Sequence, residues 1–357
     1  MTKTPASRRI RVLIVDDSAI VRQLLTDILS SDPELEVVGT AVDAIIARDK
    51  IKVLSPDVLT LDVEMPRMNG VDFLEKLMRL RPMPVVMVST LTQEGADVTL
   101  RALELGAVDF VAKPLKDLAV SLPALREEIV SKVKAAARAH IRLTGPRRAV
   151  LPAMEPSRVA SSAELIAIGA STGGVETITE LLSGFPETIP AIVVVQHMPE
   201  AFVPRFAARL RACLPFAVEE AADGQRASPG RVLIAPGNRH LMIVRGRSGG
   251  LETRLSDGPP VSGHRPSVDA LFTSVAEARP KAVGILLTGM GRDGAEGLLR
   301  MKEAGAMTIA QDEQTSTVFG MPRAAQELNA ARLVLPLPKI AAAIFNEPGS
   351  AGSKSGG

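Results

Sequence analysis

Ile10-Arg11-Val12-Leu13-Ile14-Val15 runs directly into Asp16-Asp17-Ser18. The first six residues are mostly β-branched or large and aliphatic, so they read as a buried strand with paired carboxylates at its carboxyl end. Ser18 reads as the N-cap of a helix carrying Ile20, Leu24, Leu25 and Ile28 on one face. The pattern then repeats. Val37-Val38 marks a second strand, Val58 to Val63 a third with Asp62 near its end, Pro84 to Val88 a fourth ending at Ser89, and Ala107 to Ala112 a fifth ending at Lys113-Pro114. Strands separated by helical stretches in this rhythm predict a doubly wound parallel sheet.

Ligands of such sheets bind outside the carboxyl ends of the strands. Asp16, Asp17, Asp62, Ser89 and Lys113 all fall there and should converge. Carboxylates brought together repel unless a divalent cation neutralises them, and an all-oxygen set suits Mg²⁺. A carboxylate beside Mg²⁺ and a lysine is a good phosphoryl acceptor, with a hydroxyl at Ser89 to meet the new phosphoryl oxygen. Each acidic residue alone would read as a solvated strand end; their joint order favours the phosphoryl site. The set Val-Asp-Asp-Ser, Leu-Asp-Val-Glu-Met-Pro, Met-Val-Ser-Thr and Val-Ala-Lys-Pro resembles a two-component receiver domain. The resemblance implies a flavodoxin-like fold, Asp62 as phosphoacceptor, Asp16 and Asp17 as the metal-side acid pocket and the Glu64 backbone carbonyl as a further metal ligand. It also implies Ser89, Phe110 and Lys113 as switch residues. Ser89 stands where many receivers carry threonine; either hydroxyl serves.

The second half opens on another strand, Leu165 to Gly169, which enters Gly169-Ala170-Ser171-Thr172-Gly173-Gly174. This fits G-x-S-x-G between a strand and a helix, a turn that projects the serine outward. Alone the pattern is weak, because glycine- and serine-rich turns also cradle phosphates. A serine nucleophile needs a base. Of the four histidines, His140 falls in a solvated helix, His240 begins a short strand and His264 precedes a helix at Arg265-Pro266-Ser267. His197 ends the strand Ala191 to Gln196, on the same rim as Ser171, and is the favoured base. Asp293 follows the apolar strand Ala282 to Leu287 and is the candidate orienting carboxylate; its bland alternative is an N-cap for the helix after Gly294. Val232 to Ala235, Leu241 to Val244 and Leu251 to Leu255 read as short, partly antiparallel strands.

Ile-Gly-Ala-Ser-Thr-Gly-Gly, Val-Gln-His-Met-Pro, Ala-Pro-Gly-Asn-Arg-His, His-Arg-Pro-Ser-Val-Asp, Leu-Thr-Gly-Met-Gly-Arg-Asp-Gly and Gln-Asp-Glu-Gln-Thr-Ser-Thr-Val-Phe-Gly-Met-Pro occur in that order. Together they resemble the catalytic half of the chemotaxis methylesterase family (CheB), response-regulator protein-glutamate methylesterases and glutaminases. The resemblance implies a doubly wound α/β catalytic domain with Ser171 as nucleophile, His197 as base and Asp293 as orienter, and no cofactor for the ester reaction. Its substrate would be methylated glutamates, and certain glutamines, of chemoreceptors, and its phosphodonor a chemotaxis histidine kinase. Backbone amides near Thr172 and Met290 are the expected oxyanion donors. The unphosphorylated receiver is expected to restrain the esterase.

The predicted organisation is a receiver over 1–124, a linker over 125–162 containing a basic helix and a Pro- and Arg-rich tether, a catalytic domain over 163–347 and a disordered tail over 348–357. Composition narrows the alternatives. A net charge of +2 and the absence of Trp and Tyr argue against nucleic acid as a partner and against insertion in a membrane. No apolar run is long enough to span a bilayer and no signal-peptide pattern opens the chain, so a cytoplasmic protein is expected. The single cysteine, Cys213, reads as a packed or idle thiol rather than a nucleophile. Three rival readings remain: a non-catalytic binding output, a nucleotide-binding domain that would lack the P-loop lysine, and a DNA-binding output without a recognition helix.

Overall fold

The computed structural model describes residues 8–90, 92–113, 118–140, 163–247 and 249–345. The chain divides into two units, Met1–Arg147 and Arg148–Gly357. The expected tether over Thr144 to Ser162 and the tail over 348–357 lie outside the described residues.

In the first unit, strands β1 (Ile10–Val15), β2 (Leu35–Ala41), β3 (Val58–Asp62), β4 (Val85–Ser89) and β5 (Asp109–Ala112) alternate with helices α1 (Ala19–Ser30), α2 (Ala44–Leu54), α3 (Gly70–Leu80), α4 (Gln93–Glu104) and α5 (Leu118–Ala137). The strands are all parallel, in the order β2-β1-β3-β4-β5. The expected doubly wound sheet is therefore present. β3 and β4 are buried along their whole length, as strands covered by helices on both faces must be. Ser18 does cap α1, accepting from the Val21 amide, but the buried stripe is Val21, Leu25, Ile28 and Leu29. Ile20, expected on that face, is 80% exposed. The linker boundary also moves. Residue 125 falls inside α5, whose Ile129, Val133 and Ala136 are buried in the core of this unit beside Leu25 and Val111. This helix closes the first unit's sheet rather than leaving it.

The second unit holds β6 (Leu165–Ala170), α6 (Gly174–Ser183), β7 (Ala191–Gln196), α7 (Val203–Cys213), β8 (Ala217–Glu220), β9 (Arg231–Ile234), β10 (His240–Arg245), β11 (Leu251–Ser256) and α8 (Val268–Ala278), and continues through β12 (Ala282–Leu286), α9 (Ala295–Glu303), β13 (Met307–Gln311), α10 (Met321–Glu327), β14 (Leu333–Leu335) and α11 (Leu337–Phe345). Seven strands form one parallel sheet, ordered β14-β13-β12-β6-β7-β9-β8. Among the described strands of this unit, β10 and β11 alone pair antiparallel, as a separate hairpin. β9, expected among the partly antiparallel strands, joins the main sheet instead because its buried Val232, Leu233 and Ile234 pack between layers. No described helix is long and apolar enough to cross a membrane.

β6 lies at the centre of this sheet, with β7 on one side and β12 on the other. Chain order reverses across it, so a crevice opens outside its carboxyl end. α8 packs directly over β6. A Cβ placed on Gly169 would lie 2.2 Å from Val268 Cγ1, so only a glycine permits this contact. Gly169→Ala is expected to destabilise the second unit by roughly 1–3 kcal/mol through overpacking. The readout is a lower urea midpoint for that unit, with the receiver's transition unmoved; an unchanged midpoint would show that α8 can shift without loss.

Candidate active site and phosphoacceptor pocket

In the first unit, the order reversal lies between β1 and β3, and Asp16, Asp17 and Asp62 meet there, as the sequence predicted. Their carboxylate oxygens lie within 4.8 Å of one another. Asp16 and Asp62 are fully buried. Lys113 reaches in from the end of β5, with Nζ 2.7 Å from Asp62 Oδ2 and 3.7 Å from Asp16 Oδ2. The Glu64 amide donates to Asp62 Oδ1 and the Ser18 amide to Asp16 Oδ1. Asp16 Oδ2 is buried with no hydrogen-bond partner among the described residues. A buried carboxylate oxygen lacking a donor beside two further carboxylates is a donor set that fits a hard divalent cation.

Burial raises the Asp62 pKa. Lys113 opposes this and Asp16 adds to it, and the balance leaves the carboxyl at about 6. Ser89 and Phe110, the other two expected switch residues, are held by partners outside the acid cluster. The Ser89 hydroxyl accepts from Thr99 Oγ1 at 2.7 Å and faces the carbonyls of Thr90 and Gly95. Phe110 is buried, with Lys132 Nζ 5.1 Å from its ring centre and donating to its carbonyl at 2.7 Å. Thr99 and Lys132 were not singled out from the sequence as holding these side chains. Each lies on a helix some distance along the chain, and only packing brings them to the switch.

In the second unit, the three expected residues stand at the ends of three adjacent strands. Ser171 follows β6, His197 follows β7 and Asp293 lies in the loop after β12. The register pairs Ala170 with Gln196, so Ser171 and His197 leave neighbouring strands at the same level, and the His197 amide donates to the Ala170 carbonyl at 3.1 Å. His197 Nε2 is 2.8 Å from Asp293 Oδ2. His197 Nδ1 is buried and has no hydrogen-bond partner among the described residues. Catalytic hydrogen bonds are often unformed before substrate binds.

Asp293 is fully buried and does not cap α9, whose N-cap is Gly294. It serves α8 instead. Its Oδ1 accepts from Ser267 Oγ at 2.8 Å and from the Asp269 amide at 3.0 Å, and its Oδ2 accepts from the Val268 amide at 2.8 Å. Burial pushes its pKa up, but the His197 hydrogen bond and charge and the amides of Asp269 and Val268 outweigh that and hold the carboxyl below its ordinary value. The neighbouring Asp269 goes the other way, raised by burial and by the Asp293 charge. Pro266 precedes the Ser267 cap rather than occupying the first turn of α8.

The loop after β12 closes tightly on Ser171. A Cβ on Gly289 would lie 2.8 Å from the Ser171 Cβ, and the Ser171 amide donates to the Thr288 carbonyl at 3.0 Å. This brings Thr172 and Met290, the expected oxyanion donors, to the loops that flank Ser171. Three polar side chains unforeseen in the sequence hold the arrangement. Gln196 Nε2 donates to the carbonyls of Ser171 (2.9 Å) and His197 (3.1 Å). Thr288 Oγ1 bridges the carbonyls of Thr172 and Val318, and Gln311 Oε1 accepts from the Thr288 amide. All three end or follow apolar strands, so strand-end polarity was the available signal. Of the other histidines, His140 is exposed, and His240 is buried between the Pro259 carbonyl and the Ser267 amide. Cys213 ends α7 exposed rather than packed, and partial desolvation raises its thiol pKa, unlike a nucleophile.

A buried carboxylate held near 6 loads the receiver fold. An acid whose folded pKa lies above its unfolded value of 3.8 binds its proton more tightly when folded, so stability falls as pH rises from about 4 to about 6 and stays lower above that. Without added metal, Asp62→Asn is expected to stabilise the first unit at pH 7 by up to about 3 kcal/mol, and the gain should vanish near pH 4. Denaturant titrations at the two pH values check this; an equal gain at both would reject the electrostatic cause.

Comparison with known proteins agrees with this division. A family model described as CheB methylesterase matches residues 166–344, and one described as response regulator receiver domain matches residues 12–121. A protein-glutamate methylesterase/protein-glutamine glutaminase of Bordetella parapertussis is 53% identical over 349 residues, covering 97% of this chain and 99% of that one. A protein of the same description from Caulobacter vibrioides is 55% identical over 343 residues, covering 95% and 98%. The crystal structure of the Thermotoga maritima CheB methylesterase catalytic domain aligns with a TM-score of 0.50 at 37% identity, covering 52% of this chain and 98% of that one. With relatives matched along nearly their whole length and both units matched in order, the chain belongs to the CheB family of receiver-linked methylesterases.

Proposed function

We propose that the second unit hydrolyses methyl esters of glutamate side chains on chemoreceptors, with Ser171 as nucleophile, His197 as base and then acid, and Asp293 as orienting carboxylate, and that phosphorylation of Asp62 raises this activity. The observation that carries the reading is the 2.8 Å contact of Asp293 with His197 Nε2, beside a partnerless Nδ1, at the strand end next to Ser171. A carboxylate on Nε2–H leaves the basic lone pair on Nδ1, the nitrogen that can then take a serine proton. The names of the curated relatives support glutamate methyl ester and glutamine as substrates.

In the first half-reaction, Ser171 Oγ attacks the ester carbonyl while His197 Nδ1 takes its proton. The oxyanion forms against backbone donors, for which the amides of Thr172 and Met290 are the candidates. Collapse breaks the bond to methoxide, which leaves as methanol with the proton from Nδ1. Water, deprotonated by His197, then cleaves the acyl-serine to give the glutamate carboxylate and regenerate Ser171. With a glutamine side chain the leaving group is ammonia and the remaining steps are the same.

In the receiver, the carboxylates of Asp16, Asp17 and Asp62 and the carbonyl of Glu64 would hold Mg²⁺, which when bound neutralises the acid cluster and draws charge from the incoming phosphoryl group. An Asp62 carboxylate oxygen attacks the phosphorus of a phosphohistidine on the partner kinase; the P–N bond breaks, the kinase imidazole leaves and an aspartyl phosphate remains. Lys113 offers its ammonium to the transferred oxygens, and Ser89 exchanges Thr99 for one of them. A purely binding output is not favoured, because the relatives matched along nearly the whole chain are named methylesterases and glutaminases.

Ser171→Ala is expected to lower methanol release from methylated receptor membranes by about 10⁴-fold or more, with the unfolding midpoint unchanged. Turnover near the wild-type rate in a folded Ser171→Ala protein would remove Ser171 from the mechanism.

A further inference from the structure

The His197 ring is held at its Nε2 edge by Asp293, and its face is also covered. The His264 imidazole stacks on it, with ring centres 3.9 Å apart and planes 15° from parallel. A hydrogen bond at one ring nitrogen fixes a point; it does not stop the ring rocking about the line through that point. A flat partner on the face removes that freedom.

The structure spends several contacts on fixing His264. It ends a tight turn in which Val261 and His264 exchange amide-to-carbonyl hydrogen bonds, each 3.0 Å, while Ser262 (φ 52°) and Gly263 (φ 80°) take the left-handed conformation of a two-residue hairpin loop. Ser262 Oγ donates to Asp269 Oδ2 at 2.8 Å, and Asp269 Oδ1 in turn accepts from the Gly297 amide. On the other side, the Arg265 guanidinium is held by Asn238 Oδ1 and by the carbonyls of Asp257 and Gly258. Two residues further on, Ser267 caps α8 and donates to Asp293. The segment that presents His264 to the face of His197 is thus continuous with the one that presents Asp293 to its edge.

We propose that His264 is a positioning residue for the esterase reaction: stacked on His197, it fixes the plane of the base and with it the direction of the Nδ1 lone pair. The proposal rests on the Ser171–His197–Asp293 reading above. It places His264's effect on the chemical step, because the residue acts through the base.

The test uses the full chain with Mg²⁺ and a small phosphodonor, in wild type, His264→Phe, His264→Leu and His197→Ala. Phenylalanine keeps a flat ring and leucine fills space without one. Two readouts are taken: kcat and KM for methanol release, and the rate at which a small sulfonyl fluoride labels Ser171. His264→Leu is expected to lose about tenfold or more in kcat and in labelling rate with KM within about twofold, and His264→Phe to recover most of both. Equal rates for the two variants, or a loss carried by KM alone, would overturn the proposal while leaving the triad in place. Should His264→Leu fail to fold, the kcat of His264→Phe decides: within about threefold of wild type supports the role of the flat face, and a larger loss contradicts it. Absence of labelling in the wild type, or full labelling in His197→Ala, would instead overturn the triad reading itself, and this proposal with it.

Discussion

The carboxylate of Asp293 holds the second unit's site together. Four donors converge on its two oxygens: Ser267 Oγ, the amides of Val268 and Asp269, and His197 Nε2. Three of them belong to the start of α8, where unpaired amides and the helix dipole favour an anion. One side chain thereby ties the loop after β12, the start of α8 and the end of β7 into a single assembly. Each charge-assisted bond contributes on the order of 1.5–3 kcal/mol, and losing the acceptor would leave buried amides unsatisfied. The geometry of the candidate site is therefore built at the same helix start that packs over β6.

The receiver treats its buried carboxylate in the opposite way. Asp62 is equally inaccessible, but it has one amide and one lysine for partners and two more carboxylates beside it. Its pKa rises to about 6, whereas that of Asp293 falls. A carboxylate saturated with donors holds its neighbours still. One that is crowded and under-satisfied gains from binding a cation or forming a new bond. The contrast follows the proposed roles, an orienter in one unit and a phosphoacceptor in the other, and both sit where the strand order of a parallel sheet reverses.

Much of this was legible in the sequence because it depended on local order. Apolar strands ending on Asp16-Asp17, Asp62, Ser89, Lys113, Ser171 and His197 show in one dimension which side chains share a rim. What depended on distant neighbours was hidden. Ile20 obeys helical spacing for a buried face but is exposed, because the sheet meets α1 along Val21, Leu25 and Ile28. The basic helix assigned to the linker is partly core, since its Ile129 and Val133 share a buried cluster with strand residues as distant in sequence as Val12 and Ile14. Asp293 beside Gly294 looks like a cap for the following helix and instead serves the preceding one. Gln196, Thr288, Gln311 and Thr99 are ordinary polar residues in the sequence and become supports only once adjacent loops are brought together. His264 stood among the histidines set aside as bases, and its stacking on His197 appears only in three dimensions.

The central claim is that one chain couples a phosphoacceptor pocket at Asp62 to a serine esterase at Ser171. The most direct measurement is methanol release from methylated chemoreceptor membranes by the full chain, with and without a small phosphodonor and Mg²⁺, in wild type and in Asp62→Asn. Release that rises with the phosphodonor in the wild type and does not rise in Asp62→Asn is the expected result. No release from folded protein in either condition, or release indifferent to both the donor and the Asp62 substitution, would contradict it.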